Sequence, residues 1–146
     1  MNENNRRLHD LGQSLWVDNI TRGTLDDGTL KGYIEDLSVT GLTSNPTIFE
    51  KAIAGGGYDD AIADKAATGL GHEAIFFALA IEDLRRAADL FRPVHDRTDG
   101  VDGFVSLEVS PELAFDTDNT TAAAATLHDQ AGRPNVFIKI PGTPEG

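Results

Sequence analysis

A chain of 146 residues, 40% of them apolar and 25% charged, has the composition of one soluble globular domain with a core of its own. Its 24 acidic against 12 basic residues leave a net charge of −12, the wrong sign for nucleic acid or an anionic membrane surface, both of which need basic patches. Zero cysteines exclude disulfides, cysteine-ligated zinc and thiol catalysis, and Met1–Arg7 leads into no apolar run that would target or span a membrane, so a cytoplasmic location is expected.

The first strand-like run is Ser14–Ile20, which carries Asp18 near its end and is followed by a helix-entry signal from Thr21 to Asp27. Asp26-Asp27-Gly28 lacks the spacing of a calcium loop, and a charge effect at a helix start accounts for it. The second run, Leu37–Pro46, ends at Asn45-Pro46, where the proline stops strand pairing and can open a helix. Nearly sixty residues then separate Asn45 from Gly103, more than one crossover helix needs. Glycines 55–57 and the Thr68–Gly71 stretch divide this interval into helices near Pro46–Ala54, Tyr58–Ala67 and His72 to about Phe91. Ile75, Leu79, Glu82 and Arg86 form one stripe of the long helix, and Arg92-Pro93 is expected to end it. Arg85 and Arg86, among Glu82, Asp83 and Asp89, read as a solvated face of mixed charge. His9, His95 and His128 read as surface residues; His72-Glu73 has no second histidine four residues on, and the glycine triplet lacks the strand and spacing of a dinucleotide site. The third strand is Gly103–Pro111, through Glu108; a helix over Asp118–His128 stops at Gly132, and Asn135–Ile140 is the fourth strand, carrying Lys139.

Strands alternating with helices predict an α/β fold of parallel strands joined by right-handed crossovers, the (β/α) TIM-barrel type. Parallel strands end on one side of the sheet, so Asp18, Asn45, Glu108 and Lys139 are expected on one rim, where barrels of this type hold their active sites. Eight βα units need about 250 residues. Residues 1–146 are therefore expected to be a fragment, the N-terminal half of a barrel domain, with about four βα units, extra helices between strands two and three, and the C-terminal half absent.

Lys139 stands in Val-Phe-Ile-Lys-Ile-Pro-Gly, a run apolar on both faces that reads as a buried parallel strand. A buried ammonium is disfavoured, and a lysine that loses its proton can attack a carbonyl and form a Schiff base. A strand-end lysine can also snorkel to solvent. Three other strands ending in polar groups argue for the functional placement, although Asp18 and Glu108, taken singly, could equally cap a helix or pair with an arginine.

The run Gly41-Leu42-Thr43-Ser44-Asn45-Pro46-Thr47-Ile48 resembles the first signature of transaldolases, and Val136 to Gly146 resembles the segment holding their Schiff-base lysine. Asp96–Gly100 and Val105–Val109 are similar to the longer bacterial branch; Ser110 before Pro111 is a departure, an acidic residue being usual there. The resemblance covers essentially all of this chain but only the N-terminal half of the family's fold, leaving the main phosphate-binding side chains outside it. It implies that Lys139 attacks the ketone of fructose 6-phosphate or sedoheptulose 7-phosphate, that Glu108 transfers protons through a water, that Asp18 deprotonates the C4 hydroxyl, and that Asn45 binds the dihydroxyacetone unit. It implies neither metal nor organic cofactor, the protonated imine being the electron sink, and a place in the pentose phosphate pathway. The alternatives are another class I aldolase and a half barrel without activity, which would self-associate through its exposed sheet edges.

Overall fold

The computed structural model describes residues 2–146. In chain order the elements are α1 (Glu3–Asp10), β1 (Leu15–Asp18), α2 (Arg22–Asp26), α3 (Thr29–Leu37), β2 (Val39–Thr43), α4 (Pro46–Ala54), α5 (Asp59–Ala67), α6 (His72–Arg97), β3 (Val105–Glu108), a 3-10 turn (Pro111–Leu113), α7 (Thr117–Ala131) and β4 (Val136–Lys139). The four strands form one parallel sheet in the order β1-β2-β3-β4, with helices between them, an open half of a TIM-barrel-like α/β fold. The strand order equals the chain order, as right-handed crossovers to one side of a curling sheet require.

Period-two alternation gives the sheet two faces. Leu42, Val105, Leu107 and Val136 turn outward into the main core, where they meet Leu84, Ala88 and Phe91 of α6. The inner face carries Trp16, Phe104 and Phe137 below and polar groups nearer the C-terminal ends. Phe104 and Phe137 stack at 3.9 Å between centroids. Trp16 lies flat over Gly41, where a Cβ would come within 2.4 Å of the indole, so only glycine admits the ring. Trp16 and Phe137 are 38% and 47% exposed, because the inner face of an open sheet has nothing opposite it. The seam between β2 and β3 has a single register pair, Leu42 with Val105, and is extended by backbone bonds from Leu42 N to Phe104 O (3.0 Å) and from Gly103 N to Thr40 O (2.8 Å).

Three details differ from the sequence expectation. The long helix does not stop at Arg92-Pro93 but continues to Arg97. An internal proline costs about 3 kcal/mol through its lost N–H and ring clash. Here the last turn is held by tertiary packing: Val94 is 2% exposed, and the backbone of His95 rests on Gly103, whose φ of +82° and lack of a Cβ permit the approach. His95 is accordingly half-buried, edge-on to Phe104, rather than a surface residue.

The second difference is Asp83, which is not on a solvated face but fully buried. Arg22, in the first turn of α2, donates from Nε to its Oδ1 at 3.1 Å, and the buried Tyr58 hydroxyl donates to its Oδ2 at 2.7 Å. The Tyr58 oxygen in turn accepts from Arg22 N at 3.0 Å, and the guanidinium lies 4.6 Å from the Tyr58 ring centroid. Burial, and then the bond to Asp83, push the phenol well above its usual range. Burial opposes the charge on Arg22, but the carboxylate of Asp83 outweighs it and holds the guanidinium protonated above its ordinary value. Glu82 flanks the node, bonded to Arg22 and to Lys65. Arg85 and Arg86 do lie on an exposed face of mixed charge: Arg85 donates to the carbonyls of Ala131 and Gln130, satisfying the C-terminal end of α7, while Arg86 pairs with Asp26.

Third, the N-terminal residues form α1, capped by the Asn2 side chain, which accepts from Asn4 N and Asn5 N, and α7 begins at Thr117, its cap being Asp116. The acidic turn Asp26-Asp27 does mark a helix start: Asp27 Oδ1 accepts from Thr29 N at 2.8 Å at the head of α3, which holds its carboxyl below the usual range.

Candidate active site

The rim is assembled from the ends of all four strands. Asp18 ends β1 and is exposed, and its carboxylate makes no hydrogen bond or ion pair to any described residue. Asn45 caps α4, its Oδ1 accepting from Ile48 N at 2.9 Å, with Pro46 at the first helical position. That bond occupies the amide oxygen and leaves the Nδ2 donors uncommitted among the described residues. Glu108 ends β3 opposite Lys139, the two strands pairing in register from Val105 with Val136 to Glu108 with Lys139. Asp18, Asn45 and Glu108 share one cleft of about 630 Å³, completed by Thr47, Lys51 and Pro111.

Lys139 reaches this group by crossing β3. Its Nζ donates to Ser44 O at 2.9 Å and to Thr43 Oγ1 at 3.2 Å, and stands 3.4 Å from Glu108 Oε2. The side chain is 39% exposed, so the run Val136–Lys139 is not buried on both faces. Its outer side is covered by α7, but the inner side, which Phe137 and Lys139 share, faces solvent. Sequence reasoning took an unbroken apolar run to mean two covered faces; here one apolar face belongs to an open sheet.

Four further groups at the rim escaped the sequence reading: Thr43, Ser44, Ser106 and Lys51. Ser106 Oγ donates to Thr43 Oγ1 at 3.0 Å, and the buried Ser44 hydroxyl donates to Ser106 O at 2.6 Å. A parity signal existed for two of them. Thr43 lies two residues before Asn45 and Ser106 two before Glu108, hence on the same face of their strands. A second cavity, about 640 Å³ between α6 and α7, is lined chiefly by apolar groups such as Phe77, Ile81 and Leu127 and lies away from these residues.

A lysine amine beside a carboxylate, with a second carboxylate and an amide in the adjoining cleft, is a set of groups that could attack a carbonyl and pass protons. The family model described as Transaldolase/Fructose-6-phosphate aldolase matches residues 15–146. Over 140 residues the chain is 44% identical to a transaldolase of Trichodesmium erythraeum (strain IMS101), an alignment spanning 95% of this chain and 37% of that protein. It is 48% identical over 142 residues to a transaldolase of Thermobifida fusca (strain YX), covering 97% of this chain and 39% of the relative, and 50% identical over 136 residues to one of Acidothermus cellulolyticus (strain ATCC 43068 / DSM 8971 / 11B), covering 92% and 37%. The chain thus spans somewhat over a third of the length of the relatives it matches. With a matching family model over nearly its whole length and an open parallel α/β sheet bearing lysine and carboxylates at one rim, the chain belongs to the transaldolase/fructose-6-phosphate aldolase family.

Proposed function

We propose that this chain carries the Schiff-base chemistry of a transaldolase, transferring a dihydroxyacetone unit between sugar phosphates. The observation that supports it best is the Lys139 amine 3.4 Å from the Glu108 carboxylate, beside the cleft that holds Asp18 and Asn45. Lys139 attacks the ketone carbon of fructose 6-phosphate or sedoheptulose 7-phosphate. Glu108, acting through a water, carries protons as the carbinolamine forms and loses water. Asp18 takes the proton of the C4 hydroxyl, the C3–C4 bond breaks, and its electrons flow into the iminium. The free Nδ2 donors of Asn45 hold the three-carbon unit until glyceraldehyde 3-phosphate or erythrose 4-phosphate arrives. The protonated imine is the electron sink, so these steps call on no metal or organic cofactor. Such sugar-phosphate chemistry belongs to the pentose phosphate pathway, in the cytoplasm, and no helix among the described residues is long and apolar enough to cross a membrane.

The four strands and the helices between them supply half of an eight-stranded barrel in this reading, and the main groups for the substrate phosphate lie in the other half. Presented alone, the 146 residues expose Trp16, Phe137 and the free edges of β1 and β4. They should turn over slowly or not at all and self-associate through those edges, which light scattering beside a transaldolase assay measures.

The deciding experiment is borohydride trapping on the intact protein. Reduction with fructose 6-phosphate should add a dihydroxyacetone unit to the peptide containing Lys139; Lys139→Ala should abolish the adduct and Lys139→Arg should not restore it, since a guanidinium keeps its proton. Labelling at Lys31, Lys51 or Lys65 would overturn the assignment. Release of free dihydroxyacetone without need of an acceptor aldehyde would favour an aldolase, the other activity in the family's description.

A further inference from the structure

Lys139 belongs to β4, and its hydrogen-bond partners are the last residue of β2 and the residue that follows it, two strands away. Neighbouring strands lie about 4.8 Å apart, so the side chain must pass over β3 to make these bonds. Ser106 is the β3 residue on that face directly before Glu108's position, and it is small; its hydroxyl is drawn aside toward Thr43 at 3.0 Å. The crossing is therefore open, and the amine comes to rest over the seam between β2 and β3.

The seat itself is rigid. Thr43 is the last paired residue of β2, in register with Asp18, and its β-branched side chain has restricted freedom at χ1. Its oxygen accepts from both Ser106 and Lys139, which uses both lone pairs. The Ser44 carbonyl is fixed by that residue's own buried hydroxyl, which donates to Ser106 O at 2.6 Å. Around the nitrogen stand two hydrogen-bond acceptors, Thr43 Oγ1 and Ser44 O, and one ion-pair partner, the Glu108 carboxylate at 3.4 Å.

We infer that Thr43, with the Ser44 carbonyl, is a positioning element that aims the lone pair of the Lys139 amine. An ammonium has three N–H donors and a neutral amine two. When the proton passes from nitrogen to the Glu108 carboxylate, the two remaining N–H groups stay on Thr43 and Ser44. The lone pair then occupies the one direction that neither acceptor holds. There it forms the C–N bond to the ketone carbon, while the carbonyl oxygen takes the proton from Glu108 as its π bond opens. Without Thr43 one N–H is unheld and the lone pair is free to rotate away from the substrate.

This inference rests on the Schiff-base reading above, and the experiment separates the two. In the intact protein, Thr43→Val keeps the shape and removes the acceptor. Its single-turnover rate of imine formation from fructose 6-phosphate should fall by about 10²-fold while KM stays within about threefold, the cost of misplacing a reacting group. Thr43→Ser should restore the rate to within about threefold of the parent, because the hydroxyl is back. A purely structural role would not show that split or that rescue. Should Thr43→Val not fold, Thr43→Ala, smaller and also lacking the acceptor, reads the same loss. If the parent is trapped at Lys139 and Thr43→Val forms the imine at the parent's rate, or Thr43→Ser is as slow as Thr43→Val, the positioning role is overturned alone. If the parent forms no imine at Lys139, the functional reading falls and this role with it.

Discussion

Two polar clusters in this protein have nearly the same ingredients and opposite fates. The Arg22–Asp83–Tyr58 node joins a cation, a carboxylate and a hydroxyl between α2, α5 and α6. The Lys139–Glu108–Thr43 group joins the same three kinds at the end of the sheet. In the node, Asp83 is fully buried, both its oxygens accept bonds, and the phenol is both donor and acceptor. The carboxylate and the phenol are thus engaged with each other and with Arg22. At the rim the groups are part-exposed, and among the described residues Asp18 has no partner and the Asn45 amide nitrogen makes no hydrogen bond. Spare hydrogen-bonding capacity facing a cleft, rather than burial of charge or a displaced pKa, separates the chemical cluster from the structural one. Tyr58, the group pushed furthest from its ordinary pKa, belongs to the structural one.

Substitutions at the two carboxylates of the rim would break this comparison most sharply. Asp18→Asn should slow cleavage of the bound ketose by about 10²- to 10⁴-fold, the worth of a general base, with imine formation nearly unchanged. Glu108→Gln should slow imine formation itself. Single-turnover kinetics that follow the imine and the released aldose separately read the two steps, and equal effects on both would show that the roles are not divided between the residues. Neither change should alter the unfolding midpoint by much, since neither group is buried.

The structural node should behave in the reverse way. Asp83→Ala takes the acceptor from the buried Tyr58 hydroxyl and from Arg22 Nε, leaving the guanidinium only Glu82, which costs about 3 kcal/mol. Urea unfolding of the intact protein measures that loss, and Asp83→Asn, which retains an acceptor, should lose less. Imine formation per folded molecule should stay at the parent's level in both. A folded Asp83→Ala protein unable to form the imine would tie the node to the chemistry and erase the distinction between the clusters.

The rim was legible in the sequence because its signals are local. Each strand is bounded by its own punctuation, such as Asn45-Pro46 after β2 or Gly132 before β4, and parallel alternation then brings the four strand ends together. What was not legible depends on partners distant in the chain. Asp83 looked like one acid of a charged face, and only Arg22, 61 residues away, and Tyr58 bury it. Pro93 looked like a terminator, and the turn beyond it survives because Gly103 receives His95. The seat of Lys139 joins residues 95 and 96 apart. Strand parity indicates which side of the sheet Thr43 and Ser106 occupy, but not that a lysine from β4 would pass over β3 to meet them.

A third kind of polar contact, on the open surface, sets the lower end of the scale. Arg133, in the turn between α7 and β4, grips Asp89 of α6 with Nε to Oδ1 at 2.6 Å and Nη2 to Oδ2 at 3.1 Å. The bond from Arg133 holds the Asp89 carboxyl below its ordinary range, against a partial desolvation that raises it. A carboxyl whose folded pKa is depressed contributes stability that is fully present above its unfolded value near 3.9 and is lost as pH falls through the folded one. The pair should therefore help at pH 7 and fade below about pH 4. Both side chains are substantially exposed, so solvent screening limits the contribution to about 0.5 kcal/mol in spite of the two-pronged geometry. Asp89→Asn should lower stability by no more than that at pH 7, and the gap between variant and parent should close as the pH is brought to 3. Asp27, Asp96 and Asp116, whose carboxyls are also held low by nearby hydrogen bonds, remain in both proteins, so acid unfolding persists in the variant and only the difference is diagnostic. Denaturant titrations at several pH values measure it. A gap that widens on acidification, or one as large as that of Asp83→Ala, would mean that Asp89 is not the screened surface partner its exposure indicates.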